Sequence, residues 1–194
     1  MRNFVAKALL LSSLAAASAT AGGLYVGGEL GYNFKNETGV YDDAQPQIGL
    51  KVGYDFGTFR AYGSYFYGFE GEDSHSRPGE SSKIKWKTHD FLAGADFTPE
   101  LFGRFKLILG GYTGFSVLSV EERIAYSPTY HVKIDENLAG FTLGGKIGAL
   151  YEVGSNSEIE MGFKASKTWY DNSDYIGDPD GRRYGVYAGY NYKF

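Results

Sequence analysis

Three histidines, their neighbouring hydroxyls and two acidic runs are the residues of this chain whose types could do chemistry. His75 stands in "DSHSR" beside Asp73, Ser74 and Ser76, His89 in "KTHDF" beside Asp90, and His131 in "TYHVK". Nucleophilic catalysis needs a base within reach of a hydroxyl, with a carboxylate orienting the base. His75 has all three types nearby, but in a polar stretch such proximity reads as solvated surface; His89 with Asp90 reads as a satisfied structural pair. The acidic runs "YDNSD" (170–174) and "DPDG" (178–181) place several carboxylates close together. A calcium loop of EF-hand type requires D-x-[DN]-x-[DN]-G with a later Glu, and "DNSDYIGDPDG" lacks that spacing. Asp- and Gly-rich turns produce such clusters routinely. Catalytic, metal-binding and cofactor-binding residues are therefore all expected to be none.

The elements that would hold these residues show one pattern, period two. The C-terminal "RRYGVYAGYNYKF" puts Tyr184, Val186, Ala188, Tyr190, Tyr192 and Phe194 at every second place, the mark of a strand with two unlike faces. The same alternation starts at Leu24 and recurs from Ile48, Phe59, Phe91, Phe105, Phe141 and Ile159, giving eight segments. In the fourth, Ile84 and Trp86 share one parity while Phe91, Ala93, Ala95 and Phe97 share the other, which predicts a β-bulge near Thr88–His89. A phrase recurs at strand ends: "GYNF" (31–34), "GYDF" (53–56), "GADF" (94–97) and "GYNY" (189–192). Links of two lengths join the segments. Asp55–Thr58, Thr98–Gly103 and Gly154–Ser157 read as tight turns, whereas 35–45, 71–83, 121–136 and 171–182 read as longer polar loops.

The 194 residues include 28 glycines, 17% aromatics and no cysteine, which favours one β-rich domain and excludes disulfides and thiolate metal sites. A formal charge of −4 and a pI near 5.4 oppose nucleic-acid binding, and no nucleic-acid partner is expected. Residues 1–21 read as a cleaved signal peptide: Arg2 and Lys7, an apolar run from Ala8 to about Ala17, then Ala19-Thr20-Ala21. Cleavage leaves residues 22–194 as one domain of charge −6. A mean hydropathy of −0.30 and the lack of a long apolar run exclude a membrane-spanning helix.

Period two leaves two solvents to assign. A soluble eight-stranded barrel of lipocalin type would turn the apolar parity inward. That parity includes Gly28, Gly63, Gly111 and Gly145, which would fill such an interior poorly, while the opposite parity carries bulky Tyr and ionised groups. Turning Lys51, Lys106, Lys146 and Lys164 toward lipid would cost about 2–4 kcal/mol each, roughly 10 kcal/mol together, comparable with a domain's whole stability of about 5–15 kcal/mol. They are expected to point inward. Lys167 falls on the lipid parity, so either a second bulge intervenes or it snorkels to the headgroups beside Trp169.

With its leader, eight alternating segments, unequal links and terminal Phe194, the sequence resembles the small outer-membrane β-barrels of the OmpA-barrel and OmpX type over essentially all of residues 22–194. The resemblance implies an all-β, eight-stranded antiparallel up-and-down transmembrane barrel with short periplasmic turns, longer extracellular loops and both termini periplasmic. It further implies a monomer in the bacterial outer membrane, in contact with membrane lipid and lipopolysaccharide and delivered by periplasmic chaperones to the barrel-assembly machinery. Tyr190, Tyr192 and Phe194 would then be the C-terminal assembly signal.

A narrow lumen obliges its charges to pair or stay hydrated. The inward parity holds Glu29, Asp55, Glu70, Asp96, Glu152 and Glu160 with Lys51, Arg60, Arg104, Lys106, Lys146, Lys164, Arg183 and Lys193, which predicts a salt-bridged plug. Glu29, Lys51, Lys106, Lys146, Glu160 and Lys164 form its expected network. If Phe34 pairs near Pro46, Glu29 lies across from Lys51. Three functions remain open: a non-enzymatic structural or surface-interaction protein acting through its extracellular loops, a small-solute or ion pore, and a lipid A-modifying enzyme. The last is disfavoured because no histidine shows the H-x-S spacing that resemblance to the deacylase requires.

Overall fold

The computed structural model describes residues 22–38, 41–42, 44–77, 80–127, 130–171 and 180–194; the expected leader, residues 1–21, lies outside the described residues. The strands are β1 (Gly23–Thr38), β2 (Tyr41–Asp42), β3 (Gln45–Asp55), β4 (Phe59–Arg77), β5 (Glu80–Phe97), β6 (Glu100–Phe102), β7 (Phe105–Ser127), β8 (Tyr130–Glu152), β9 (Ser157–Tyr170) and β10 (Asp180–Lys193). The short β2 pairs with β1 and β6 with β7, and the other eight form an antiparallel wall that closes where β10 pairs with β1. Closure leaves no open sheet edge around the wall, as a lipid solvent requires.

Stepping across partners from Asp180 leads through Trp169, Phe141, Phe115, Phe91, Tyr65, Leu50 and Gly28. The path returns to β10 at Tyr190, ten residues beyond its start. With strands about 4.8 Å apart and a rise of about 3.3 Å per residue, that stagger tilts the strands roughly 40° from the axis. A barrel of this size has room inside only for side chains or one small ligand.

The two faces follow the alternation. β3 alternates buried and exposed residues along most of its length, and β10 does the same. Leu30, Leu50, Phe91, Phe115, Leu143, Met161 and Phe163 all stand out from the wall, an apolar exposure suited to acyl chains rather than water. Aromatic pairs mark both ends of this band: Phe59 with Phe97 (5.0 Å between ring centroids) and Phe105 with Tyr151 (4.7 Å) near the short turns, Tyr65 with Phe91 (5.1 Å) and Phe141 with Trp169 (6.1 Å) near the long hairpins. The three short links are where the sequence placed them, although the second, Thr98–Gly103, holds the strand β6 and the chain reverses at Gly103–Arg104. In the first, Gly57 takes φ +92° and its N–H donates to Asp55 Oδ1 at 2.7 Å.

Four expectations are corrected. The bulge is not at Thr88–His89, because β5 pairs with β7 without interruption from Ser81 to Phe97. It lies on the neighbouring strand, where Gly68 faces Thr88 and Gly71 faces Trp86, so Phe69 and Glu70 both point outward. Ile84 and Trp86 break the parity for a different reason: the lumen itself is apolar at that height. The Trp86 ring lies on Gly71, 2.4 Å from where a Cβ would be. The stretches 71–83 and 121–136 are not loops but continuations of the wall, paired as far as Arg77–Glu80 and Ser127–Tyr130. Glu70 and Arg104 do not belong to the lumen, since both are exposed and Arg104 sits in a turn. The first hairpin pairs Tyr32, not Phe34, with Pro46, which sets Glu29 opposite Gly49.

Candidate functional site: a charge-filled lumen beneath a protruding sheet

The lumen is packed in tiers. Nearest the short turns, Arg60 donates to Asp55 and Glu158 at 2.8 Å each, Lys193 reaches Glu158 at 2.8 Å, and Lys106 pairs with Glu152 at 2.8 Å. Tyr25, Ile108 and Leu150 fill the space between them. In the middle tier, Lys51 bonds Glu160, Asn191 donates to Glu160 at 3.1 Å, Lys164 reaches Glu29 at 2.7 Å and Lys146 reaches Asp96 at 2.8 Å. Rings separate these ions: Lys146 Nζ lies 4.6 Å from the Tyr62 centroid and Lys164 Nζ 4.5 Å from that of Phe66.

Above this, Arg183 grips Asp90 through both terminal nitrogens, at 2.6 and 3.2 Å. Ser116 donates to Asp90 at 2.6 Å, and its hydroxyl continues to Thr142 and Thr168. Amides line the opposite wall, with Asn33 donating to Gln47 at 3.1 Å and Asn36 to Gln45 at 3.3 Å. The top tier is apolar: Trp86, Leu118, Val120, Leu138 and Tyr170, with Ile84 packed against them.

All six residues of the expected network point into the lumen, and five of them meet in the middle tier; Lys106 belongs to the tier below. Glu29 and Lys51 do approach, at 3.6 Å, but on a diagonal, and each has a closer partner. Sequence reasoning missed Asp90 and Glu158, because period two assigns their face but gives no sign of a partner: Arg183 lies 93 residues from Asp90 and Arg60 98 from Glu158. Between the bottom and the apolar tier, the seven cations Lys51, Arg60, Lys106, Lys146, Lys164, Arg183 and Lys193 are matched by seven carboxylates. Among the described residues these lumen charges balance, and each ion has at least one partner of opposite sign. A gap inside the lumen, lined by Glu29, Tyr62, Ser64, Asp90, Lys164 and Arg183, has a volume of about 30 Å³, room for one or two waters.

Among the described residues the chemistry-bearing side chains do not assemble into one site. His89 points outward, where Tyr65 Oη lies 2.8 Å from its Nδ1 and the Tyr67 ring stands beside it, with no carboxylate among its hydrogen-bond partners. The Ser116–Asp90 bond holds a hydroxyl and a carboxylate but no histidine. The side chains of His75 and His131 lie outside the described residues, as do residues 172–179 of the acidic runs. Among the described residues no cluster of three metal-ligating side chains occurs. Lys167 needs no second bulge: it pairs with Asp180 at 2.5 Å and lies 4.9 Å over the Trp169 ring. Phe194 closes the last strand, its N–H donating to the Leu24 carbonyl at 2.9 Å and its ring edge-on to Tyr192.

Beyond Trp169 and Phe141, β4, β5, β7 and β8 continue as a four-stranded sheet. The longer hairpin rises roughly 20 Å past the aromatic band at the tilt given above. Among the described residues, β4 above Gly68 is paired only with β5, and β8 from Tyr130 to Leu138 only with β7. This sheet thus presents two unpaired edges.

Comparison with known proteins bears on this architecture. The sequence matches the outer membrane protein beta-barrel domain family over residues 4–194. Curated proteins give no significant match. Among solved structures, Neisserial surface protein A is similar, with a TM-score of 0.57 and 16% identity over 88% of this chain and 97% of that one. The attachment invasion locus protein of Yersinia pestis, in complex with the heparin analogue sucrose octasulfate, gives 0.53 at 16% identity over 88% and 97%. Outer membrane protein OprG of Pseudomonas aeruginosa gives 0.52 at 15% over 90% and 96%. At these identities the likeness is one of fold.

Proposed function

The chain belongs to the outer membrane protein β-barrel family, and from that premise we propose that it is a non-enzymatic surface-interaction protein: a closed barrel in the bacterial outer membrane that holds a β-sheet above the lipid for a macromolecular partner. The observation that carries this reading is the four-stranded extension of β4, β5, β7 and β8. An edge of unpaired N–H and C=O groups accepts an extended segment of another chain by strand addition. The neutral, filled lumen supports a rigid support rather than a pore. The outward, acid-free setting of His89 supports a non-enzymatic role. As expected from the resemblance, the barrel would work as a monomer, reaching the membrane through periplasmic chaperones and the barrel-assembly machinery after loss of residues 1–21.

The test compares bacteria displaying the protein with bacteria displaying a variant in which short turns replace residues 72–83 and 122–135. Attachment to serum-coated and heparin-coated surfaces is scored; heparin is included because the similar Yersinia pestis structure holds a heparin analogue. The full protein is expected to raise attachment to at least one surface and the trimmed barrel, folded in the membrane, to lose it. Equal attachment by both would remove the sheet from the function.

A further inference from the structure

We infer that Gln45 is the positioning residue of the protruding sheet: its side-chain amide latches β4 where that strand leaves the wall, fixes the angle at which the sheet rises, and ties the connection between β1 and β3 to the base of the sheet. The inference deepens the surface-interaction reading and rests on it for the use of the sheet, though not for the geometry of the latch.

The latch begins where a ladder ends. β3 pairs with β4 from Asp55–Arg60 to Gln47–Gly68 and no further. The next residue of β3 toward its start is Pro46, which has no N–H to give a neighbouring strand. On β4 the next residues are Phe69 and Glu70, the bulge between the Gly68–Thr88 and Gly71–Trp86 pairs. The Phe69 carbonyl thus lies beyond the last β3–β4 backbone pair, and a side chain serves it instead: Gln45 Nε2 donates to it at 2.9 Å.

The other end of the amide is occupied too. Gln45 Oε1 accepts from Asn36 Nδ2 at 3.3 Å and from Thr88 Oγ1 at 3.4 Å. These partners fix its orientation, since an exchanged amide would set oxygen against the Phe69 carbonyl and nitrogen against the Asn36 amide nitrogen. Asn36, Gln45 and Thr88 are each 1% exposed, so no solvent replaces a bond lost there. One amide therefore joins β1, β3, β4 and β5.

Two glycines make room for it. A Cβ on Gly68 would stand 2.9 Å from Gln45 Nε2 and overlap the Thr88 hydroxyl, and one on Gly71 would overlap the Trp86 ring. The bulge is clamped from the lumen side by the amide below and the indole above, while outside Glu70 pairs with Lys85. A bulge bends its strand and raises the local twist, so whatever holds the bulge sets the direction in which β4 and the strands paired to it rise. The opposite corner is built differently. Where β8 parts from β9, the Asp171 N–H donates to the Ala139 carbonyl at 2.8 Å, a bond that belongs to the backbone. Asn36 near the end of β1 and Gln45 at the start of β3 bracket the first long connection, so that connection and the sheet share a single amide.

The test uses the full mature chain in lipid vesicles. It has no cysteine, so cysteine pairs can be introduced for spin labels. One pair joins residue 79, in the link between β4 and β5, to Leu30 on the wall; a control pair joins Leu30 to Phe115, both exposed on the wall. Pulsed electron resonance gives the distance distribution of each pair, and urea gives the unfolding midpoint. The parent is expected to show a narrow distribution for both pairs. Q45L, close in volume but without donor or acceptor, should widen the 79–30 distribution at least about twofold, and leave the 30–115 distribution and the urea midpoint unchanged. Q45E should widen it at pH 9, where the carboxylate has no proton for the Phe69 carbonyl, and return toward the parent's width at pH 4, with the parent measured at both. G68A, which displaces the amide without altering it, should behave as Q45L. A parent-like width in folded Q45L, or a Q45E width indifferent to pH, overturns the assignment. So does a lowered urea midpoint with the 79–30 width unchanged, which would make Gln45 a residue of barrel stability alone. Should Q45L not fold, G68A and Q45E decide. None of these readings uses attachment, so failure of the latch and failure of the surface-interaction reading are told apart.

Discussion

Lys51 and its two carboxylates show how a buried charge chooses its partner. Glu29 is the nearer in sequence, but Glu160, on the far side of the closed sheet, makes the direct bond. A double-mutant cycle is therefore expected to give a coupling of about 2 kcal/mol or more for Lys51 with Glu160 and under about 1 kcal/mol for Lys51 with Glu29, measured by urea unfolding in lipid vesicles. Removing one member leaves the other buried and unpaired, so E160Q should destabilise the barrel by about 3–5 kcal/mol. Replacing Lys146 and Asp96 together with apolar residues of similar volume should cost far less than either change alone, because the desolvation penalty disappears with the pair. Trp86 is a packing residue of the same weight. W86A opens a cavity against Leu118, Leu138 and Gly71, and a loss of about 3–5 kcal/mol is expected.

At the scale of elements, the wall and the protruding sheet are separable by the solvent each meets. The wall strands are held by lipid outside and ion pairs inside. On the proposed reading, the hairpins above Gly68 and Ala139 stand clear of lipid on both faces. Trimming residues 72–83 and 122–135 is accordingly expected to leave heat-modifiable mobility and the unfolding midpoint of the barrel nearly unchanged. The last strand invites another prediction. The Phe194 ring is exposed at 70% and, among the described residues, has only Tyr192 as a ring partner, so it adds little packing. If Tyr190, Tyr192 and Phe194 serve as the assembly signal, deletion of Phe194 should lower the folded fraction in cells several-fold while refolding of the purified chain into vesicles proceeds at its ordinary rate. A matching loss in vitro would assign Phe194 to stability instead.

For the whole molecule, closure and filling go together. Eight strands with a ten-residue stagger enclose a lumen that seven cations, seven carboxylates and a set of aromatic rings occupy, capped by an apolar tier. Planar-bilayer recordings of the folded mature protein are expected to be silent at moderate voltages. Discrete openings would bring the pore reading to the front and make the middle tier its gate.

Much of this was legible in the primary structure because it depends on neighbours two residues apart. The alternation from Leu24 to Phe34 and from Tyr184 to Phe194 marks which side chains face lipid, since every strand turns successive side chains to opposite faces. The same rule placed Glu29, Lys51, Lys146, Glu160 and Lys164 in the lumen, while turn-forming residues marked the tight turn at Gly57. Ile84 and Trp86 exposed its limit: period two reports a change of face or a change of surroundings with the same signal, and only packing against Leu118 and Tyr170 separates them. Pairings were likewise beyond it. The partner of Lys51 lies 109 residues away and that of Glu29 135, brought close only when β10 meets β1 and the stagger is set. Which face a residue takes is a local property of the strand, and the sequence by itself determined it; which residue it meets across the lumen, and how far the hairpins rise above the lipid, is set by closure of the whole sheet, and only the tertiary structure decided it.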